Sequence, residues 1–244
     1  MPDGLRLVGH KGTGLIAPGN TRESFAAAVE AGADTIELDV LWTRDGHPRL
    51  DPAERTPLIV AHDWHDAARR EPLTLAQALD VFLEAPLDGV EIDLDIKLPG
   101  REEEIVAAVR ERGLLERAMV STMELSTLAR IHELEPQLRR GWTYPKVTRD
   151  WTSKRWAKAP MLAALVWMRE RLPGLAAREL PRMGVEAMWV YHPIVSRRLA
   201  RITRLAGVEL IAWTVDDAGR MRKLIAVGVD GICSNDPRLF AALR

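Results

Sequence analysis

The sequence predicts a closed barrel of eight parallel strands, each followed by a helix: the (β/α)8, or TIM-barrel, architecture. Strand-like and helix-like segments alternate almost without exception along its 244 residues, and repeated βα units imply parallel pairing with right-handed crossovers. Eight such units in a chain of this length fit a barrel better than an open doubly wound sheet. An open sheet would also carry a glycine-rich fingerprint after its first strand. The turn His10-Lys11-Gly12-Thr13-Gly14 lacks that spacing.

Taken in order, Leu5–Gly9 is a short apolar strand, and Asn20–Ala31 reads as a helix with Phe25, Ala28 and Val29 on one side. Thr35–Val40 is the second strand. A hairpin-like arm follows through Gly46 and Pro48 and returns as Leu58–Ala61, outside the βα count. Thr74–Leu83 is helical, with Thr74 a fair N-cap and Leu75, Ala78, Leu79 and Phe82 apolar. Val90–Ile96 alternates as a strand, and the helix Arg101–Arg112 is closed by Gly113, a plausible C′ glycine. Ala118–Thr122, Arg140–Tyr144, Ala187–His192, Glu209–Val215 and Gly231–Ser234 complete the eight. No linker or longer repeat interrupts them, so residues 1–244 read as one domain.

Bulk composition narrows the function classes. Lys+Arg 34 against Asp+Glu 35 gives a net charge of −1, which provides no polycationic surface for nucleic acid. The lone Cys233 excludes an intrachain disulfide framework and fits a reducing compartment. No apolar run approaches the roughly 18–20 residues of a membrane span. The N-terminal residues lack the apolar core of a signal peptide, so the expected location is the cytoplasm.

The chemistry gathers at strand ends. In the strand Thr35–Val40, alternation sends Thr35, Glu37 and Asp39 to one face and Ile36, Leu38 and Val40 to the other. Two carboxylates so placed need a countercharge, either Lys or Arg or a divalent cation held by oxygen. A lone Glu-x-Asp is more often a solvated edge strand. Here, however, His10, Asp95, Lys97, Ser121, Tyr144, His192, Trp213 and Asp216 also fall at or just past strand ends, where barrels of this kind keep their chemistry. His62-Asp63 ends the returning arm. Asp93 shares a face with Asp95, and Lys97 in isolation could be a Schiff-base lysine, although three nearby carboxylates would keep it protonated. Five of the eight tryptophans (Trp142, Trp151, Trp156, Trp167 and Trp189) are interleaved with Lys146, Arg149, Lys154, Arg155 and Lys158. Core packing with a solvated basic face accounts for that pattern. The sharper alternative is a wall for an amphiphilic substrate or an anionic lipid surface.

In order and spacing, several blocks resemble the glycerophosphodiester phosphodiesterase family, which is distantly related to the sphingomyelinase D toxins. They are His10-Lys11-Gly12, Pro18-Gly19-Asn20-Thr21, Gly32 to Val40, Thr43-Arg44-Asp45-Gly46, His62-Asp63, Trp213-Thr214-Val215-Asp216 and Gly228 to Ile232. The resemblance is weakest between Arg149 and Arg182. It implies a (β/α)8 barrel that cleaves glycerophosphodiesters or lysophospholipids with a divalent cation, Mg²⁺ or Ca²⁺. Glu37, Asp39 and Asp95 look like the metal ligands, His10 and His62 like a general acid/base pair, and Lys11 and Lys97 like phosphate-facing cations, with Trp213 lining the pocket.

Three positions depart from the family pattern. Lys11 stands for an arginine and loses its bidentate fork. Gly19 stands for a glutamate, with Glu23 the candidate to replace it, and Asp95 for a glutamate one methylene longer. Only 32 residues separate His62 from Asp95, so the small insertion common over the family's mouth is absent. Two further readings remain at this point: a phospholipase D-like lyase forming cyclic phosphates, and a catalytically weakened phosphate-binding barrel. His192 has no counterpart in the resemblance and reads as structural.

Overall fold

The computed structural model describes residues 4–42, 56–146 and 158–243, with the side chains of 158 and 159 left aside. Eight strands close a parallel ring: β1 (Arg6–His10), β2 (Thr35–Leu41), β4 (Glu91–Ile96), β5 (Ala118–Thr122), β6 (Arg139–Tyr144), β7 (Ala187–Tyr191), β8 (Glu209–Trp213) and β9 (Gly231–Ser234). β1 pairs with both β2 and β9, which closes the circle. The returning arm contributes β3 (Ile59–Val60), antiparallel to β2 and outside the ring. The barrel and its arm are therefore as the sequence predicts. The outward limb of the arm and the Thr43–Gly46 block lie outside the described residues, as do Arg149, Trp151, Lys154, Arg155 and Trp156.

Alternation along the strands builds two cores. Leu7, Ile36, Leu38, Val120, Val190, Leu210 and Ile232 join one large buried cluster with helix residues such as Phe25, Leu79 and Ile105. The intervening Val8, Met119, Ala187, Trp189, Ile211 and Cys233 form a second cluster inside the ring. Trp189 is the bulkiest of these, and Gly141 makes room for it. A Cβ at position 141 would lie 2.6 Å from its indole nitrogen. Below this layer Arg6 joins Glu91 and Glu209, and Arg139 also reaches Glu91 at 2.8 Å. Although burial works against the charge, Glu209 and Glu91 hold the Arg6 guanidinium above its ordinary value. Glu91 thus belongs to the bottom of the barrel, leaving the other end for chemistry.

The helices are α1 (Arg22–Glu30), α2 (Trp64–Arg69), α3 (Leu75–Val81), α4 (Glu102–Glu111), α5 (Leu125–Leu134), α6 (Lys158–Met183), α7 (Arg197–Leu205) and α8 (Ala218–Val227). Thr21 and Ser24 form a capping box on α1, and Thr74 and Gln77 another on α3. α1 starts two residues later than its sequence pattern predicts because Asn20 takes a left-handed φ of 61° and Thr21 is the cap. The periodicity gave no sign of α2. It is one short stretch with no buried residue, capped by Asp63. β7 ends at Tyr191, and His192 begins a 3-10 turn.

Candidate active site

The second strand supplies two acids because its alternation turns Glu37 and Asp39 away from the helices, where Ile36, Leu38 and Val40 are fully buried. β4 lies beside it in parallel register, Glu37 opposite Asp93 and Asp39 opposite Asp95. Oxygens of Glu37, Asp39 and Asp95 come within 4.8 Å of one another. Asp93 lies one step deeper. There it accepts a 2.7 Å hydrogen bond from Ser121, and burial pushes its carboxyl well above the usual range. The group of oxygens close enough to share a cation therefore takes in Asp95 and leaves Asp93 to its bond with Ser121.

The turn after β1 wraps this acidic group from above. The Lys11 backbone N–H donates to Glu37 Oε2 at 2.8 Å. Asn20 grips Asp39 twice: its Nδ2 donates to Oδ2 at 2.8 Å, and its Oδ1 accepts from the Asp39 N–H at 3.1 Å. Both Lys11 and Asn20 have positive φ, 55° and 61°. Asparagine tolerates that conformation, but for lysine it costs on the order of 1 kcal/mol. Such a cost is accepted where the backbone must bring an N–H onto a carboxylate. Asn20 was visible only as part of a motif block, and nothing in the sequence gave it a role. Asn20→Ala is expected to destabilise the fold by about 2 kcal/mol, because it strands a buried carboxylate oxygen and a buried N–H. Denaturant unfolding measures this, and an unchanged midpoint would mean that water replaces both bonds.

The countercharge is Lys97. Its Nζ lies 2.5 Å from Asp39 Oδ1 and also pairs with Asp95. Burial alone would lower its pKa, but Asp39, Asp95 and Glu37 hold it well above the ordinary lysine value. Burial likewise acts to raise Asp39, yet Lys97, His62 and His10 keep that carboxyl below its usual range. Glu37 is different. Burial, then the charge of Asp39, pushes it well up, and burial also raises Asp95. Lys97 is thus the one cation paired with this group of three carboxylates among the described residues, Glu37 and Asp39 buried and Asp95 partly so. An all-oxygen set fits a hard divalent cation, and it contains none of the nitrogen or sulfur donors that favour zinc.

His10 ends β1 beside this group, its Nε2 3.9 Å from Glu37 Oε2. Its Nδ1 lies 2.7 Å from Asn235 Oδ1. Asn235 is itself oriented by Asp216, which accepts from the Asn235 Nδ2 and backbone N–H, both at 2.8 Å, and from Ser234 Oγ at 3.0 Å. With the amide nitrogen committed to Asp216, its oxygen faces His10, so Nδ1 carries the proton and Nε2 is the bare nitrogen. Burial, reinforced by Lys11 and Lys97, lowers the imidazole to about 4 against the pull of Asp39. It is neutral near pH 7. Sequence reasoning marked Asp216 as a strand-end residue but missed Asn235, whose only signal was its place just past the last strand.

His62 follows the arm, its side chain half exposed. The Ala61 N–H donates to the Asp39 carbonyl at 3.1 Å, tying the arm to β2, and His62 Nδ1 lies 3.3 Å from Asp63. A cavity of 260 Å³ beside it is lined by Lys11, Gly19, His62, Asp63, His65, Asp66 and Arg69. Gly19 is part of its wall for a steric reason, since a Cβ there would meet Lys11 Cβ at 2.9 Å. Glu23, the candidate to replace the missing carboxylate, is exposed on α1. Trp213 ends β8 at the mouth end of the interior cluster, its ring 5.6 Å from that of Tyr191. His192 Nδ1 accepts from Arg220 at 3.0 Å, which ties the turn after β7 to α8.

This arrangement has relatives. The chain is 26% identical over 260 residues to a glycerophosphodiester phosphodiesterase of Caldanaerobacter subterraneus, covering 97% of this chain and 96% of that protein. It is 24% identical to a glycerophosphodiester phosphodiesterase of Bacillus subtilis, covering 100% and 87%. Among solved structures, one described as a putative glycerophosphoryl diester phosphodiesterase from Silicibacter pomeroyi superposes with a TM-score of 0.73 at 17% identity, covering 100% of this chain and 95% of that one. An Oleispira antarctica phosphodiesterase in complex with sn-glycerol-3-phosphate gives 0.67 at 18% identity, covering 98% and 96%. At these identities the structures speak for the fold alone. The sequence pattern of one family matches residues 10–50 and 74–239, which span the β1 turn, the acidic strands and the β8 block, and on that match the chain belongs to the glycerophosphoryl diester phosphodiesterase family.

Proposed function

We propose that this chain hydrolyses glycerophosphodiesters to glycerol phosphate and an alcohol, with a divalent cation at Glu37, Asp39 and Asp95 and with His10 and His62 moving protons. The observation that carries this reading is the group of three carboxylates at the barrel mouth, Glu37 and Asp39 buried and Asp95 partly so, with His10 3.9 Å from Glu37 and His62 at the end of the arm tied to β2. When bound, the cation supplies positive charge against which phosphoryl oxygens are held and stabilised. Lys11, whose ammonium has no ion-pair partner among the described residues, faces the cavity where a phosphodiester anion would sit, and Lys97 keeps the acidic group from being over-charged. His10 is the base, since its Nε2 is bare and its orientation is fixed through Asn235. His62, half exposed beside the cavity, is the acid.

Among the described residues no protein nucleophile stands beside the acids. Ser121 is committed to Asp93, and Cys233 is buried in the interior cluster, with burial raising its thiol well above the usual value. The family resemblance points to the substrate's own glycerol hydroxyl next to the phosphoester as the attacking group. Its oxygen bonds to phosphorus as the bond to the leaving alcohol breaks. The proton removed by His10 is matched by one that His62 gives to the departing oxygen. Water then opens the cyclic phosphate. An internal hydroxyl gains its advantage from proximity, so a substrate lacking it should bind but turn over at least about a hundredfold more slowly than glycerophosphocholine. A transient cyclic phosphate should appear early by phosphorus NMR. Equal rates for the two substrates would favour direct attack by water, and a cyclic phosphate that accumulates as the final product would favour the lyase reading.

A further inference from the structure

The geometry points to a lipid-docking surface at the mouth of the barrel, built on the first part of α6. Residues Pro160–Met168 read Pro-Met-Leu-Ala-Ala-Leu-Val-Trp-Met, without one charged or hydrogen-bonding side chain beyond the indole N–H. In a soluble protein such a helix belongs in the core, yet Leu162 is 63% exposed, Val166 54% and Trp167 59%. Ala163 and Ala164 are exposed as well. At about 100° per residue, exposed positions 162, 163, 164, 166 and 167 cover about half of the helix circumference or more. A helix that docks on a protein groove presents an apolar stripe and turns a polar face to water. This segment has no polar face to turn.

Its place in the fold selects the occupant. Farther along the helix, Arg169 donates to the carbonyls of Pro193, at 3.1 Å, and Val195, just beyond the end of β7. The nine residues Pro160–Met168, about 14 Å of helix, therefore stand on the mouth side of that tie, with Leu165 and Met168 turned to the core. Other exposed large apolar side chains share this end of the barrel: Leu15 and Ile16 after β1, Trp64 after β3 and Leu125 after β5. Among the described residues only Leu83 and Leu205 lie at the opposite end.

Charge agrees with this placement. Lys146 is paired with Glu124 at 2.6 Å, but the sequence that follows it into the helix, residues 147–158, holds Arg149, Lys154, Arg155 and Lys158 against Asp150 alone, in a chain whose net charge is −1. No helix among the described residues is long and apolar enough to cross a membrane. The apolar end thus lies in the interface of an anionic bilayer, with the mouth facing the lipid.

The test is flotation of the full-length protein with unilamellar vesicles of phosphatidylcholine and phosphatidylglycerol in a 3:1 ratio. The wild type should float with the vesicles. Leu162→Glu/Val166→Glu should partition at least about tenfold more weakly, since burying one such side chain is worth about a factor of ten or more. Trp167→Gln, a milder change on the same exposed face, should also weaken partitioning and guards against misfolding of the double variant. Binding is read without turnover, so this inference stands or falls independently of the phosphodiesterase reading. Wild-type protein that stays with the soluble fraction overturns it. So does a wild-type dimer that the glutamates convert to monomer without any change in flotation, because the face would then join two copies of the chain.

Discussion

Chelation of divalent cations should abolish turnover of glycerophosphocholine, and Mg²⁺ or Ca²⁺ should restore it. The expectation rests on crowding of acids: three carboxylates, two of them buried, have oxygens within 4.8 Å of one another and, among the described residues, pair with the ammonium of Lys97 alone. Glu37 is the informative position, because burial and Asp39 already press its carboxyl toward the neutral form. Glu37→Gln removes the carboxylate that a cation would need and keeps an oxygen for the Lys11 N–H, so the barrel should stay folded. Turnover should fall by about 10³ or more, the equivalent of several kcal/mol of lost charge stabilisation. A second readout needs no activity at all. A cation at 100 times its dissociation constant adds about 2.7 kcal/mol to the stability of the fold that binds it. Its addition should raise the melting temperature of the wild type and leave that of Glu37→Gln unmoved. Full turnover in excess chelator, or an equal thermal gain in both proteins, would remove the cation from the acidic group.

The parts of the molecule visible in the sequence were those set by periodicity. Thr35–Val40 alternates strictly, so the orientation of Glu37 and Asp39 followed from a period of two, and the βα count gave the barrel. What escaped was held by single long-range contacts. Asn20 and Asp39 are 19 residues apart, and His10 and Asn235 are 225 apart; no local pattern announces such bonds. Gly19 shows the same limit from another side. In the sequence it looked like a lost carboxylate, whereas in the structure it is the place where a side chain would strike Lys11. α2 was missed because six residues, none of them buried, offer no apolar face and so leave no 3.6-residue signal. The tryptophan-rich stretch was read as core with a basic face. Trp142 and Trp189 are indeed buried, but Trp167 is not. Local sequence could not separate these because they differ only in which element packs over them.

His10→Ala and His62→Ala should each lower kcat by about 10²–10⁴, the usual size of a general acid/base contribution. The two losses should not multiply in the double variant, because both groups serve one proton-transfer cycle. Their environments predict a further difference. His10 is held against Asn235 with Nε2 bare, and burial lowers it to about 4, which suits a base at neutral pH. His62 is half exposed beside the cavity, its Nδ1 3.3 Å from Asp63, which suits a donor to an alcohol leaving toward solvent. A substrate whose leaving group departs without a proton, such as the p-nitrophenyl ester of glycerol phosphate, should therefore recover most of the loss in His62→Ala. It should recover little in His10→Ala, where the attacking hydroxyl still has to be deprotonated. Asp216→Asn supplies an independent check, since it lets the Asn235 amide turn over and offer Nδ2 to His10, placing the ring proton on the wrong nitrogen. It should behave like a milder His10→Ala with both substrates. Recovery of His10→Ala by the nitrophenyl ester would exchange the two roles, and near wild-type turnover in either single variant would return that histidine to the rim of the barrel.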